Sequence, residues 1–190
     1  MSEVSTQSFS ELTLQLDDVI LRPLERGDIN AVVEACSDPL TQRWLPLPNP
    51  YTVADAEFFV DTAETFRSSG EGLRCVIARA EDNVLIGMVS VKATDWRERV
   101  TDVGYWCRPG HRGHGHITRA TRALSLYVLE QGMQRVELRA ATGNAHSNRV
   151  AAGAGFSFEG VLRNAASTHS GRVDLNLYSL ILADRGMAAG

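Results

Sequence analysis

The residues best suited to chemistry lie between Arg108 and Thr118, which read Arg-Pro-Gly-His-Arg-Gly-His-Gly-His-Ile-Thr. An apolar alternating run, Val103-Gly104-Tyr105-Trp106-Cys107, leads into this stretch. A helical pattern with Ile117, Thr121, Leu124 and Val128 on one face leads out of it. A strand, a glycine-rich turn and a helix start are therefore adjacent, which directs several free backbone N–H groups to one spot at the positive end of a helix dipole. A phosphate-bearing ligand is the natural occupant. No Lys-Ser/Thr pair follows the second glycine, which excludes a Walker-type loop. The third glycine and the later acidic residue of a dinucleotide-binding Rossmann turn are missing too.

A second polar cluster, Asn144-Ala-His-Ser147-Asn-Arg-Val-Ala-Ala-Gly-Ala-Gly-Phe156, opens another short helical stretch. His111, His114, His116 and His146 are dense enough to suggest zinc. However, His114 and His116 lie where backbone must wrap phosphate, and the loop holds no acidic or cysteine ligand, so no metal is expected.

The elements that must position these residues follow from periodicity and breakers. Val19–Leu24 reads as a first strand and Asp28–Ser37 as a helix with Ile29, Val32, Val33 and Cys36 on one face. Pro39, Pro46, Pro48 and Pro50 predict a loop around Trp44. Thr52, with Asp55 in a box-like arrangement, caps a second helix whose apolar stripe includes Phe58, Phe59 and Phe66. Arg74–Ala78 and Val84–Val91 read as a hairpin turning at Glu81-Asp82-Asn83. Val100–Cys107 is the strand entering the loop, and the helix beyond it runs to about Glu130, before Gly132. Val136–Ala140 is a strand and 147–154 a short helix weakened by Gly153. Phe158–Arg163 and Val173–Ile181 read as a closing hairpin bending near Gly171. The sum is a mixed sheet flanked by helices, of α/β or α+β class.

Bulk properties narrow the function. A chain of 190 residues suits one domain with a sizeable core, here expected over 19–182, with residues 1–18 a tail or lead-in to the first strand and 183–190 a second tail. The net charge of −4, without a basic block, argues against nucleic-acid binding. Cys36, Cys75 and Cys107 are scattered and odd in number, which fits a reducing cytoplasm. No run reaches the length of a membrane span, and residues 1–10 lack the regions of a signal peptide and read as frayed.

The loop resembles the coenzyme-A loop of GCN5-related N-acetyltransferases (GNAT), whose Arg/Gln-x-x-Gly-x-Gly/Ala pattern is met by Arg112, Gly113, His114, Gly115 and His116 but departs at Ile117. Asn144-x-x-Ser147-Asn-x-Val-Ala, closing on Gly155-Phe156, resembles the second signature of that family. Glu159-Gly-Val-Leu-Arg163, Val173–Tyr178 and Leu21-Arg-Pro-Leu24 with Asp28 resemble further stretches of its ribosomal-protein acetyltransferase (RimJ/RimL) branch. The matches run in the family's order over roughly 19–182.

The resemblance implies a sheet of about six to seven strands containing a splayed pair, with about four helices. It implies acetyl-CoA as cosubstrate and a primary amine as acceptor, either a protein N-terminus or a small molecule, acetylated by direct attack in a ternary complex. The amides of Gly113, His114, Gly115, His116, Ile117 and Thr118 would bind pyrophosphate. Tyr105, Trp106 and Cys107 would line the pantetheine arm, and Asn144 would contact the cofactor. Many relatives place a tyrosine where Ala151 stands; in the ribosomal branch a serine matching Ser147 is proposed to serve the departing thiolate instead. Ser147 could equally be a helix cap. Relatives' catalytic glutamates are absent, for 163–170 holds no carboxylate and another such position is Arg139. Asp102 is the base candidate, against an ion-paired strand role, and His169 is the next. Trp44 is the candidate for acceptor contact, whereas Phe58 and Phe59, at helical spacing, are expected in the core. A non-catalytic acyl-CoA-binding sensor is the rival reading. The residues leave a homodimer open.

Overall fold

The computed structural model describes residues 7–186. Its centre is one mixed sheet with strands in the order β1-β2-β3-β4-β5-β6-β8-β7. These are β1 (Leu14–Leu16), β2 (Val19–Arg22), β3 (Leu73–Arg79), β4 (Leu85–Asp95), β5 (Val100–Cys107), β6 (Arg135–Ala141), β7 (Ser157–Thr168) and β8 (Gly171–Leu180). All neighbours are antiparallel except β5 and β6, which run parallel. The helices are α1 (Ile29–Ser37), α2 (Pro39–Trp44), α3 (Val53–Asp61), α4 (Ala63–Ser68), α5 (His116–Glu130) and α6 (Ala145–Gly153). The strand count exceeds the expected six to seven because β1 and its pairing with β2 carried no readable signal in three residues.

Strand alternation divides the core in two. One face of the sheet, with Leu21, Ile77, Val89, Val103 and Leu138, packs on Leu124 and Val128 of α5. The other, with Val76, Ala78 and Leu85, packs on Val32 and Cys36 of α1 and Ala56 of α3. Successive residues of β5 therefore belong to different compartments. Val103 and Tyr105 pack on the α5 side, and Trp106 on the α1–α3 side.

Several expectations need correction. The segment leading to Trp44 is helical, over Pro39–Trp44, while the expected loop holds from 45 to 52. Asp38 caps the helix, with Oδ2 accepting from the Thr41 amide at 2.9 Å, and Pro39 occupies the first turn. A proline there loses nothing, since its missing N–H would have no intrahelical partner. The second helix is interrupted at Thr62 and becomes α3 and α4. Phe58 is 72% exposed rather than in the core, while Phe59 packs partly against it. Residues 1–10 do not all fray, because Phe9 is buried; residues 1–6 lie outside the described residues. At the other end, 183–186 form part of a 3-10 turn tied down by Arg185 to Glu130 at 2.8 Å, and 187–190 lie outside the described residues.

Candidate active site

The β5–β6 pair is where the sheet opens. Pairing covers only Val100–Val103 against Arg135–Leu138, although β5 continues to Cys107 and β6 to Ala141. Beyond Val103 the strands diverge, and β5 stays joined only to β4, from Gly104↔Ser90 to Cys107↔Gly87. The result is a V whose walls are the end of β5 and the β6–α6 junction.

The glycine loop lies at the end of the β5 wall. Gly110, Gly113 and Gly115 adopt φ of +82°, +85° and +76°, a left-handed geometry that side chains with a Cβ resist. These turns deliver the chain into α5 with Gly115 as its cap residue. Among the described residues, the backbone N–H groups of Gly113 and of Gly115 through Thr118 meet no acceptor, while that of His114 closes the turn at 112–113. The first turn of a helix leaves such donors free by construction, and the glycine turns extend the row. An exposed row of amides on a helix dipole fits a pyrophosphate.

Two glycines elsewhere make room for this loop. A Cβ on Gly87 of β4 would lie 2.9 Å from both Ile117 Cδ1 and the Trp106 carbonyl oxygen. The large Ile117, unusual for the loop pattern, is thus accommodated by a glycine on the neighbouring strand. A Cβ on Gly153 would lie 3.0 Å from Thr118 Cγ2, so this glycine lets α6 approach the first turn of α5.

Arg112, which the resemblance counts among the cofactor-binding residues, turns its side chain towards α2. Its guanidinium donates to Asp38 Oδ2 at 2.5 Å, Thr41 Oγ1 at 3.2 Å and the Cys107 carbonyl at 3.3 Å. Burial pushes the Asp38 carboxyl up, but the bonds from Arg112 and Thr41 outweigh it and hold it below the usual carboxylate range. Arg112 therefore braces the loop against the N-terminus of α2. At the other end of α2, Trp44 lies against Gly143, with Cη2 3.6 Å from where a Cβ would stand. The loop after α2 meets the β7–β8 turn, where His169 Nε2 lies 3.1 Å from the Leu47 carbonyl oxygen.

On the far wall, the cap of α6 is Asn144. Its Oδ1 accepts from the Ser147 amide at 3.1 Å, so the alternative of Ser147 as the cap is corrected. The Ser147 hydroxyl instead lies 2.8 Å from the Tyr105 hydroxyl, which also reaches the Ser147 carbonyl oxygen at 3.2 Å. Burial pushes the Tyr105 phenol up to about 12. Burial likewise pushes the Cys107 thiol up to about 11, with Arg112 opposing.

Asn148 was not singled out by the sequence reading, although it stands inside the second signature. Its amide donates to the carbonyls of Ala141 and Asn144, at 3.0 and 2.8 Å, and its Oδ1 accepts from Asn176 and Tyr178, at 2.7 and 2.8 Å. It fastens the end of β6 to α6 and β8, and so holds the far wall of the V.

Asp102 sits in the paired half of β5, opposite Glu137. Lys92 Nζ and Arg139 Nη1 flank it at 3.8 and 3.7 Å. Burial raises its carboxyl above the usual range; Lys92 and Arg139 oppose this, and Glu137 adds to it.

His111, His114 and His116 border a cleft of about 550 Å³ beside the loop, together with Arg79 and Asp18. Burial, with neighbouring arginines, holds His111 and His116 below the ordinary imidazole range; Glu34 and Asp18 respectively oppose this. No group of three or more His, Cys, Asp or Glu side chains among the described residues is arranged to hold a metal.

A split mixed sheet beside an amide-lined glycine loop is an arrangement that suits a pyrophosphate-bearing ligand. Residues 18–157 match the family model described as an acetyltransferase (GNAT) domain. The chain belongs to this family, and it is an acyl-CoA-dependent acetyltransferase. It is 27% identical to the uncharacterized N-acetyltransferase YoaA of Bacillus subtilis (strain 168), over 88% of this chain and 96% of that one. It is 31% identical to the ribosomal-protein-serine acetyltransferase of Escherichia coli (strain K12), over 54% of this chain and 58% of the relative. Among solved structures, a probable acetyltransferase superposes with a TM-score of 0.80 at 28% identity, covering 90% of this chain and 97% of that one. RimL, a ribosomal L7/L12 alpha-N-protein acetyltransferase in complex with coenzyme A, shares the fold at a TM-score of 0.82 and 21% identity, over 91% and 99% of the two chains.

Proposed function

We propose that this protein transfers the acetyl group of acetyl-CoA to a primary amine, at a protein N-terminus or on a small molecule, by direct attack within a ternary complex. The observation that carries this reading is the row of amides from Gly113 to Thr118, free of partners except where His114 closes a turn, set at the mouth of the V between β5 and β6. The pyrophosphate would sit on that row, and the pantetheine arm would run along Tyr105, Trp106 and Cys107, where β5 has no partner on its β6 side.

The alternation along β5 supports separate roles for the two faces of the sheet. Tyr105 packs on the α5 side and reaches Ser147, which would serve the departing sulfur. Asp102 and Trp106, an even number of residues apart, share the opposite face, where the amine would arrive. A carboxyl raised by burial is a better base than an ordinary carboxylate, and this supports Asp102 for proton removal. The nucleophile belongs to the acceptor, so no covalent protein intermediate forms.

The names of the relatives support a ribosomal protein N-terminus as one acceptor. A neighbour titled as the microcin C7 self-immunity acetyltransferase in complex with acetyl-CoA and AMP shares this fold and supports testing small molecules beside it. Among the described residues no helix is long and apolar enough to cross a membrane. The three cysteines are free, which supports a reducing cytoplasm as its setting. The test is free-thiol release from acetyl-CoA in the presence of ribosomal-protein N-terminal peptides and a panel of small amines. Acceptor-dependent release with a mass increase of one acetyl group on the amine is expected. Tight acetyl-CoA binding with no turnover on any acceptor would favour a sensor.

A further inference from the structure

We infer that Tyr105 is a positioning residue for the leaving group: its phenol aims the Ser147 hydroxyl at the sulfur of acetyl-CoA. The inference rests on the acetyl-transfer reading above and adds to it the group that stands in for a tyrosine at position 151. Ala151 is fully buried and carries no functional atom there. A phenol nevertheless arrives in the same helix environment from the opposite wall, because Tyr105 lies beyond the last β5–β6 pair, Val103↔Leu138. Its hydroxyl crosses the open V to the first turn of α6, 2.8 Å from Ser147 Oγ.

Tyr105 has two acceptors in reach, and the choice between them decides where the serine proton points. When the phenol donates to the Ser147 carbonyl at 3.2 Å, the contact between the hydroxyls requires Ser147 to donate to Tyr105, and its proton is turned away from any ligand. When the phenol donates to Ser147 Oγ, the serine O–H is released and can point into the V. The Asn144 cap is independent of this choice, since it uses the Ser147 amide rather than the hydroxyl.

In the step itself, the amine nitrogen bonds to the thioester carbon. The carbon–sulfur bond breaks with its electron pair on sulfur, and the surplus proton of the amine leaves to the base or to solvent. Ser147 then donates a hydrogen bond to the thiolate. No proton need leave either hydroxyl. A phenol pushed up to about 12 holds its proton more tightly than a thiol, whose ordinary value is about 8.5. The pair therefore stabilises the anion as an aligned donor, a role that is effective only when its direction is set beforehand.

The experiment compares parent, Tyr105→Phe, Ser147→Ala and the double variant with two donors, acetyl-CoA and its selenoester analogue. A selenol is a much stronger acid than a thiol, so its anion departs without help. Phenylalanine keeps the ring packing, and alanine keeps the backbone cap, so acetyl-CoA affinity by calorimetric titration should stay within about twofold of the parent. With the thioester, kcat should fall about 10- to 100-fold for Ser147→Ala, the range of a hydrogen bond to a charged group, and about 3- to 10-fold for Tyr105→Phe, that of a neutral one. The double variant should be no slower than Ser147→Ala. With the selenoester, all four should agree within about twofold. Equal losses on both donors, or losses that multiply in the double variant, would overturn the inference while leaving acetyl transfer intact. A parent that turns over neither donor would instead overturn the underlying reading, and the inference with it.

Discussion

Gly115→Val concentrates the physics of the loop in one substitution. Gly113 and Gly115 hold φ of +85° and +76°, where a residue with a Cβ is disfavoured by roughly 1–2 kcal/mol. Crowding at the Cβ itself adds little to this cost. A Cβ at Gly113 would meet no heavy atom within 4 Å, and one at Gly115 would meet only Arg119 Nη1, at 3.6 Å. Valine adds the restriction of a β-branched side chain. The strain must then surface in one of two places. If the loop keeps its left-handed turn, global stability falls by that amount. If the loop relaxes to negative φ, stability is retained but the amides entering α5 no longer converge, and coenzyme A must restore the geometry on binding. One to two kcal/mol corresponds to a roughly 5- to 30-fold weaker Kd. Chemical denaturation and calorimetric titration with coenzyme A measure the two terms, and their sum should be conserved. Gly115→Asn, which tolerates the left-handed region, should recover most of the loss. A folded Gly115→Val protein with both the Kd and the unfolding midpoint of the parent would refute the assignment of these amides to pyrophosphate.

Asp38→Asn should leave the α2 cap in place, because asparagine caps as well as aspartate, while removing the charge that Arg112 grips; calorimetric titration should show acetyl-CoA Kd rising several-fold, and an unchanged Kd would refute the brace. His111 and His116 are held below the ordinary imidazole range and are largely neutral near pH 7, and a phosphate bound beside them would raise their pKa values. Coenzyme-A affinity should therefore increase as pH falls from about 7.5 towards 6, with proton uptake visible as a buffer-dependent binding enthalpy; equal enthalpies across buffers would exclude the histidines from the phosphate site. Asp102→Asn should lower kcat by about 10²–10⁴-fold and remove an ascending limb of the pH–rate profile lying above the ordinary carboxylate range. Unchanged kcat and profile would leave Asp102 as the anion between Lys92 and Arg139 and turn attention to His169.

What the sequence determined by itself is local. The strand into the loop, the glycine-rich turn and the helix beyond it follow from alternation, the freedom of glycine and the 3.6-residue period. Each acts over a few residues, and together they point to a phosphate site. The same local reading misjudged Pro39, because a proline that breaks a helix interior also starts one when Asp38 stands before it. It misjudged Phe9 because polar neighbours hide one buried side chain in a short strand lead-in. Tertiary structure alone decided which distant residues meet. Arg112 and Asp38 are 74 positions apart, and Tyr105 and Ser147 are 42 apart. The room that Ile117 needs is supplied by Gly87 on a neighbouring strand. Periodicity records which side of a strand or helix faces the core, but carries no information on which residue lies across from it. The opening of the sheet past Val103 is likewise a property of two strands and of the Asn148 contacts that fasten the end of β6 to α6 and β8, so it is set only when β5, β6, α6 and β8 are in place.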